Sequence, residues 1–546
     1  MQGLMMDAPL LVSSVLEHAA RIHGSTEIVA RTPEGGIHRT TYAEAHRRAR
    51  QLAKAMLRLG VKPGDRVGSL AWNTHHHFEL FYGVSGTGAV LHTINPRLFE
   101  EQLVYIVNHA DDGWICVDAA TLAIAEKIAP QAPRVKGWIY MSVDPGPPSS
   151  SLKLLSYEKL IAAEDANYQW PEFDEREASV ICYTSGTTGQ PKGVVNSHRS
   201  TVLSALLMST ADMIGGYRSG AREAVMPIAP MFHGNGWQMV YTAPLSGHTL
   251  VLPGRNFEPD KLYEIMAAER VTVAACVPTV WLTLVDHLER KGLELPALRA
   301  ALVAGTKPPR SLIEALEKRG TDVAQCWGMT EALGVTKCSL PPGLSEAPFE
   351  RRVEQKLRQG RVAFGTRLRI VDDAGQELPH DGMAFGHLQA RGPLIAGGYL
   401  KQEAPIADGW LQTGDVAKLH PDGTLEIVDR SKDVIKSGGE WISSAAVENA
   451  AMGHPAVAQA AVIGVHHPRW QERPLLVVVA KPDRQVTAEE LIEFLRPQMA
   501  SWWVPDDVAF VEALPMTATG KIHKVTLRER FKDFQSQQRV VEHVSD

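Results

Sequence analysis

The chain has 546 residues, of which 44% are hydrophobic and 22% charged, with a formal net charge of −6. That length exceeds one compact core and points to two or more domains, and the weak negative balance excludes a global basic field for nucleic acid. No apolar run reaches the roughly 18 residues of a spanning helix. The start of the chain carries Asp7 and Glu17 and lacks the basic-then-apolar order of a secretion signal. The five cysteines, Cys116, Cys182, Cys276, Cys326 and Cys338, show no metal-ligand spacing and sit mostly in apolar stretches. They read as reduced, buried thiols of a cytoplasmic protein.

In chain order, Ala45 to Leu59 carries apolar residues at helical spacing, and Asp65 to Leu70 reads as a buried strand. His75-His76-His77 does not read as a metal site, because consecutive residues cannot easily converge on one ion. Residues 144–151 and Leu340 to Gly360 read as surface loops, the first rich in Pro, Gly and Ser, the second with prolines followed by charges. Arg270 to Val277 predicts a strand and Pro278 to Arg290 a helix. This alternation implies an α/β architecture with largely parallel sheets. After Gly365 the pattern shortens: Thr366 to Val371, Gly386 to Ala390 and Thr424 to Val428 predict a β-rich subdomain over about 365–429. A small α+β domain is expected over 432–546, with strands near Ala458–Val465, Leu475–Ala480 and Val508–Val511 and a helix near Ala488–Leu495. Residues 1–431 then form the large N-terminal domain.

Directly after the strand-like Ala178 to Cys182 comes Tyr183-Thr184-Ser185-Gly186-Thr187-Thr188-Gly189-Gln190-Pro191-Lys192-Gly193. Glycines allow backbone N–H groups to converge on an anion, the hydroxyls add donors, and Lys192 brings a charge for phosphate oxygens. Pro191 argues against the helix that a P-loop would open here. The segment resembles the signature loop of the adenylate-forming superfamily, which includes acyl-CoA synthetases, luciferases and peptide-synthetase adenylation domains. Further motifs follow in that family's order over nearly the whole chain.

Pro230-Met231-Phe232-His233-Gly234-Asn235-Gly236-Trp237 places His233 and Trp237 four residues apart, where they could share a helix face and pack a core. The resemblance instead implies that His233 lies beside the reacting carboxylate and that Trp237, Gly305, Met329 and Leu333 complete an acyl pocket. Val303-Ala304-Gly305-Thr306-Lys307-Pro308 departs from the more usual Gly-Gly-Ala/Ser but still resembles the turn lining adenine and acyl group, with Lys307 there unexplained. Gln325-Cys326-Trp327-Gly328-Met329-Thr330-Glu331 resembles the adenine motif, with Trp327 where Tyr is usual. It implies Trp327 stacked on the purine, Gln325 at the adenine amino edge, Thr330 at an α-phosphate oxygen, and Glu331 with Thr184 at a magnesium ion. Thr413-Gly414-Asp415 resembles the ribose motif; Asp415, Ile427 and Arg430 are expected around the ribose, with Lys432 as hinge. Lys436, Gly438, Gly439, Glu440 and Trp441 form either a glycine turn opening a helix or, by resemblance, one side of the pantetheine channel. Leu514 to Ile522 resembles the family's mobile-lysine motif, which implies that Lys521 stabilises the meeting of carboxylate and triphosphate.

The family reading is an AMP-forming acid–thiol ligase using ATP, Mg2+ and coenzyme A, with a carboxylate substrate and, at family level, a homodimer. Its alternatives are an adenylating enzyme with a carrier-protein or other acceptor, a medium- or long-chain fatty acyl-CoA synthetase, and a catalytically dead nucleotide sensor; the last would lack Lys521 or Glu331. The segments from Met231 to Gln238, from Lys436 to Ser443 and from Leu91 to Arg97 are similar to the branch of medium-chain and 3-methylmercaptopropionyl-CoA ligases. That likeness implies a short to medium acid.

Overall fold

In a computed structural model, which describes residues 1, 3–144, 146–184, 190–210, 213, 223–341, 343–403, 405–438, 440–482, 484–517 and 521–534, the β-branched runs form three sheets. The first is parallel through Leu154–Ser156, Gly137–Met141, Asp112–Asp118, Arg66–Leu70, Val90–Ile94 and Ala178–Tyr183, and ends on the antiparallel Gly193–Ser197. Val90–Ile94 is buried at every position, as expected of a strand covered on both faces. The second sheet contains a parallel block of Thr249–Leu252, Ala224–Pro227, Val273–Cys276 and Ala300–Val303, extended at its edge by Glu27–Arg31.

The largest core unites residues of both sheets with the helices between them. Tyr42–Arg58 shows why such a helix forms here. Thr41 caps it by accepting from the Glu44 N–H, and Ala45, Ala49, Leu52 and Met56 recur on one buried face. Full burial of a side chain such as Leu52 stabilises by about 1.5–3 kcal/mol. His75, His76 and His77 open the helix His75–Gly83 and are all buried. Cys116, Cys182, Cys276 and Cys338 are buried free thiols, and Cys326 is partly buried.

Asp322–Met329 determines where the chemistry sits. Its first half pairs in parallel with Ala300–Val303, and its second half pairs antiparallel with Ala332–Lys337. The β-rich region therefore begins at about Trp327 and not at 365, and continues through Gly360–Val362, Thr424–Arg430, Trp410–Leu419, Phe385–Arg391 and Arg367–Val371. The loop expected over 340–360 is also corrected, because Phe349–Lys356 is a helix. Its apolar residues Phe349, Val353 and Leu357 recur every four positions but are hidden among charges, and buried Lys356 pairs with Glu317 and Asp322.

The third sheet comprises Glu440–Ile442, Ile435–Ser437, Gln471–Ala480, Val457–His467 and Asp507–Phe510, with helices Ser444–Ala451 and Ala488–Leu495 against it. This smaller α+β unit has its own core around Leu476, Val478 and Leu491. Among the described residues, no helix is long and apolar enough to cross a membrane.

Candidate active site

The strand Ala178–Tyr183 delivers Thr184 to the edge of a cleft, and the antiparallel return strand brings back Lys192. Two reciprocal bonds close the base of this loop: Thr184 N–H donates to the Lys192 carbonyl at 2.9 Å, and Lys192 N–H donates to Thr184 Oγ1 at 3.0 Å. Ser185, Gly186, Thr187 and Thr188 lie outside the described residues.

Thr330 and Glu331 form the two-residue tip between Asp322–Met329 and Ala332–Lys337, with Met329 paired to Ala332 across it. Gly328 is required at its approach, since a Cβ there would stand 2.9 Å from the Ala332 carbonyl oxygen. Glu331 is buried, and its Oε1 accepts from the Tyr399 hydroxyl at 2.6 Å. Burial, reinforced by Glu331, pushes the Tyr399 phenol well above its usual range, so it remains a donor. Lys192 Nζ lies 5.0 Å from the centre of the Tyr399 ring. Sequence reasoning missed Tyr399, for which only the preceding Gly397-Gly398 gave a local sign.

On the floor of the cleft, both oxygens of buried Asp415 are engaged. Oδ2 accepts from the Trp327 indole N–H at 2.9 Å, and Oδ1 meets Arg430 Nε at 2.9 Å. Each oxygen keeps lone-pair capacity for one more donor, which suits a vicinal diol. Trp327 is 8% exposed and belongs to the core of the β-rich region. The open stacking face expected of it is thus reduced to a small uncovered area, while its edge holds Asp415. Ile427 flanks the same core and donates its N–H to the Gln359 side chain.

Gln325 requires a correction. With its amide turned to suit its neighbours, it donates to the carbonyls of Leu357 at 3.0 Å and Arg358 at 3.1 Å, and accepts from Gln359 at 2.9 Å. It is 1% exposed, so its polar capacity is spent in the interior and not on an adenine edge.

The acyl-side residues show the largest local departure. Gly234, Asn235, Gly236, Trp237 and Gln238 all have positive φ, between 52° and 65°, forming one left-handed turn. His233 and Trp237 therefore do not share the face of a right-handed helix. A left-handed residue other than glycine costs about 1–2 kcal/mol, a strain that recurs at functional sites. Gly234 is the point of closest approach: a Cβ there would stand 3.1 Å from Leu333 Cδ2 and 3.8 Å from Trp237 Cδ1. Next along the strand, Gly334 faces Met208, whose sulfur would be 3.0 Å from an added Cβ.

Gly305, at φ +94°, is flanked by exposed Thr306, and a Cβ on it would lie 3.6 Å from Lys521 Cε. Lys521 is thus seated in the cleft. Dehydration pushes its ammonium down to about 8, assisted by Arg430 and Lys432 and opposed by Asp415 and Glu331. Burial, followed by the Lys521 charge, pushes the His233 imidazole down to about 4. Burial pushes the Lys307 ammonium down, opposed by Glu426 and Asp429 and assisted by Lys418.

The other expected group lies elsewhere. Lys436, Glu440 and Trp441 belong to the hairpin Ile435–Ser437/Glu440–Ile442, and Gly439 is outside the described residues. Trp441 packs on Phe385 and His387, with Lys436 Nζ 5.3 Å from its ring centre, and not on the cluster around Lys521. Gly438 donates to the Trp470 carbonyl at 2.9 Å beneath the Trp470 ring.

Glu331 suits a hard cation. Its Oε2 makes no hydrogen bond among the described residues, and the Thr184 hydroxyl retains a lone pair. No three acidic, His or Cys ligands cluster among the described residues. Magnesium is commonly held by one or two carboxylates plus substrate phosphates, without an all-protein cage.

Comparison with known proteins identifies the family and the fold. The AMP-binding enzyme profile matches residues 16–400, and the profile of the AMP-binding enzyme C-terminal domain matches 446–521. A 3-methylmercaptopropionyl-CoA ligase of Ruegeria lacuscaerulensis is 46% identical over 542 residues, covering 98% of this chain and 99% of that one. A medium-chain-fatty-acid–CoA ligase of Ectopseudomonas oleovorans is 42% identical over 539 residues, covering 98% of each. The solved structure of the anthranilate CoA ligase AuaEII in complex with anthranoyl-AMP shares the fold at TM-score 0.83 and 24% identity, covering 96% of this chain and 98% of that one. Two profiles in order, and relatives aligned from end to end, show that the chain belongs to the AMP-binding enzyme family.

Proposed function

We propose that the chain activates a short- to medium-chain carboxylate as its acyl-adenylate and transfers the acyl group to coenzyme A, releasing AMP and pyrophosphate. The observation that carries this reading is the seating of Lys521 beside Gly305, among Arg430, Asp415, Lys432 and Glu331. A carboxylate approaching a triphosphate needs a cation between two anions, and a preplaced ammonium in a dehydrated cleft supplies it. The Lys192 ammonium faces the phosphates, Thr330 an α-phosphate oxygen, and Asp415 with Arg430 the ribose hydroxyls. His233, neutral at physiological pH, borders the carboxylate without adding charge. Glu331 and Thr184 would hold Mg2+, which when bound neutralises charge on the phosphates.

The second half-reaction needs the other face of the C-terminal lobe. Lys521 and the Gly438 hairpin belong to one lobe and face different surfaces, which supports residues 432–546 turning about Lys432 after adenylation to exchange them. The close approach of Leu333 and Trp237 to Gly234 in the left-handed turn supports a preference for small acids. Together with the branch likeness, this supports 3-methylmercaptopropionate or a similar acid as substrate. A cytoplasmic homodimer completes the reading, supported by the reduced thiols and by the family expectation.

The test measures pyrophosphate, AMP and thioester with and without coenzyme A over acids of three to sixteen carbons. Stoichiometric AMP and acyl-CoA formation from the shorter acids is expected. AMP released equally fast without coenzyme A would overturn the acceptor, and preference for palmitate would overturn the small pocket.

A further inference from the structure

The segment from Gly392 to Gln402 crosses between the two sheets at the cleft. Ala396 N–H donates to the Glu331 carbonyl at 2.8 Å, Ile395 bridges Ala332, and Leu400 N–H donates to the Gly193 carbonyl at 2.8 Å. Beyond it, Lys401 Nζ reaches Asp111 at 2.6 Å and the His109 carbonyl at 2.9 Å. The strap thus fixes the return strand of the phosphate loop and the Glu331 tip relative to each other. Tyr399 projects from it between two groups of opposite charge.

Lys192 and Glu331 serve opposite partners, phosphate oxygens and a metal cation. An unshielded ammonium and carboxylate in a confined cleft attract each other strongly, and pairing would occupy both. Among the described residues, the recorded contacts of the two charged groups are both with Tyr399 and not with each other. Lys192 instead lies over the Tyr399 ring, and Glu331 Oε1 takes the Tyr399 hydroxyl. A cation over an aromatic face gains about 0.5–2 kcal/mol, enough to hold it and weak enough to release it to a phosphate. A hydrogen bond to one carboxylate oxygen fixes the plane of the group and leaves the other oxygen free, as groups behind metal ligands commonly do.

We infer that Tyr399 is a positioning residue that keeps Lys192 and Glu331 apart and aims Glu331 Oε2 at the metal. This rests on assigning Glu331 to magnesium, and the test separates the two claims. Mn2+ serves as a paramagnetic stand-in for Mg2+, and its affinity for the ATP-bound protein is titrated by electron paramagnetic resonance. ATP affinity without metal is measured by calorimetry in EDTA.

Tyr399→Phe keeps the ring and loses the hydroxyl; it is expected to weaken Mn2+ binding about tenfold to a hundredfold, the range for removing a group behind a ligand, with metal-free ATP affinity unchanged. Tyr399→Leu also loses the ring and should weaken metal-free ATP binding as Lys192 falls onto Glu331. In a Glu331→Gln background, Tyr399→Phe should have no further effect on Mn2+. Circular dichroism and thermal unfolding confirm that each variant folds. Mn2+ affinity within twofold of the parent in Tyr399→Phe, or an equal loss in both backgrounds, would overturn the inference. Undiminished Mn2+ binding in Glu331→Gln alone would overturn the metal assignment beneath it.

Discussion

The seat of Lys521 makes the pH dependence of adenylation a direct test. Its ammonium loses its proton at about 8 rather than 10.5, chiefly through dehydration, then through Arg430 and Lys432. At about 1.36 kcal/mol per pH unit, this difference corresponds to roughly 3 kcal/mol against a charged lysine in the cleft. The triphosphate offsets that cost when it binds, so nucleotide binding and seating of the lysine favour each other. The charged form is the one that separates two anions, and it predominates below pH 8. The kcat/KM for pyrophosphate formation, which reports the free enzyme, should therefore be level to about pH 8 and then fall towards tenfold per unit. His233, at about 4, adds no limb over this range. Lys521→Arg keeps its charge to far higher pH and should flatten the alkaline limb at a lower plateau, whereas Lys521→Ala should lower the whole curve. A wild-type limb beginning above about pH 9.5, or one retained in Lys521→Arg, would refute a dehydrated Lys521 as its source.

Trp327→Phe removes the indole donor from Asp415 Oδ2 and keeps an aromatic ring. A hydrogen bond to a buried charge contributes about 1.5–3 kcal/mol, so kcat/KM for ATP should fall about tenfold to a hundredfold, with a smaller loss for 3′-deoxy-ATP. Gly438→Ala forces a side chain into φ +61° and within 2.6 Å of the Trp470 ring. It should slow thioester formation at least tenfold while sparing ATP–pyrophosphate exchange, because Gly438 packs under Trp470 and is not among the groups around Lys521. Acid should destabilise the protein through its buried histidines. Dehydration holds His77 and His198 near 4, and His75 well below 6.5. The unfolded chain takes up these protons first, so stability is full above about 6.5 and is lost as pH falls, by about 2 kcal/mol per group at pH 5. Urea midpoints measured from pH 7.5 to 5 should decline accordingly, and a flat series would contradict the neutral burial.

Local chemistry made part of the site legible. The glycine-rich loop, the Thr330–Glu331 tip and the Lys521 loop announce themselves, because their function needs residue types that a core does not. What remained hidden depended on partners distant in the chain. Tyr399 acquires its meaning from Glu331, 68 positions away. Gln325 looked available until three groups from residues 357–359 surrounded it. The helix Phe349–Lys356 hid its apolar stripe among six charged or amide residues, and burial of Lys356 depended on carboxylates from two other elements. The left-handed turn was half visible, since Gly234 and Gly236 are natural there, but nothing local requires Asn235, Trp237 and Gln238 to follow them.

The junction between the lobes is compatible with the proposed reversible seating of Lys521. Asp429, before Lys432, reaches the start of the helix Ser444–Ala451, accepting from the Ser444 hydroxyl at 2.7 Å and the Ala445 N–H at 3.3 Å. Ser443 donates to the Val428 carbonyl at 2.6 Å, which adds a second tie across the same point. The proposed turn about Lys432 would break these bonds, and each cap-type interaction stabilises by only about 0.5–2 kcal/mol. Water can satisfy the released groups, so the net cost stays within what binding of a second substrate supplies. Tight packing across the junction would fix Lys521 more rigidly but would block the presentation of Gly438. On the proposed turn, these polar ties and the small Trp441 contact with Phe385 and His387 would serve a two-step reaction better than a larger apolar interface.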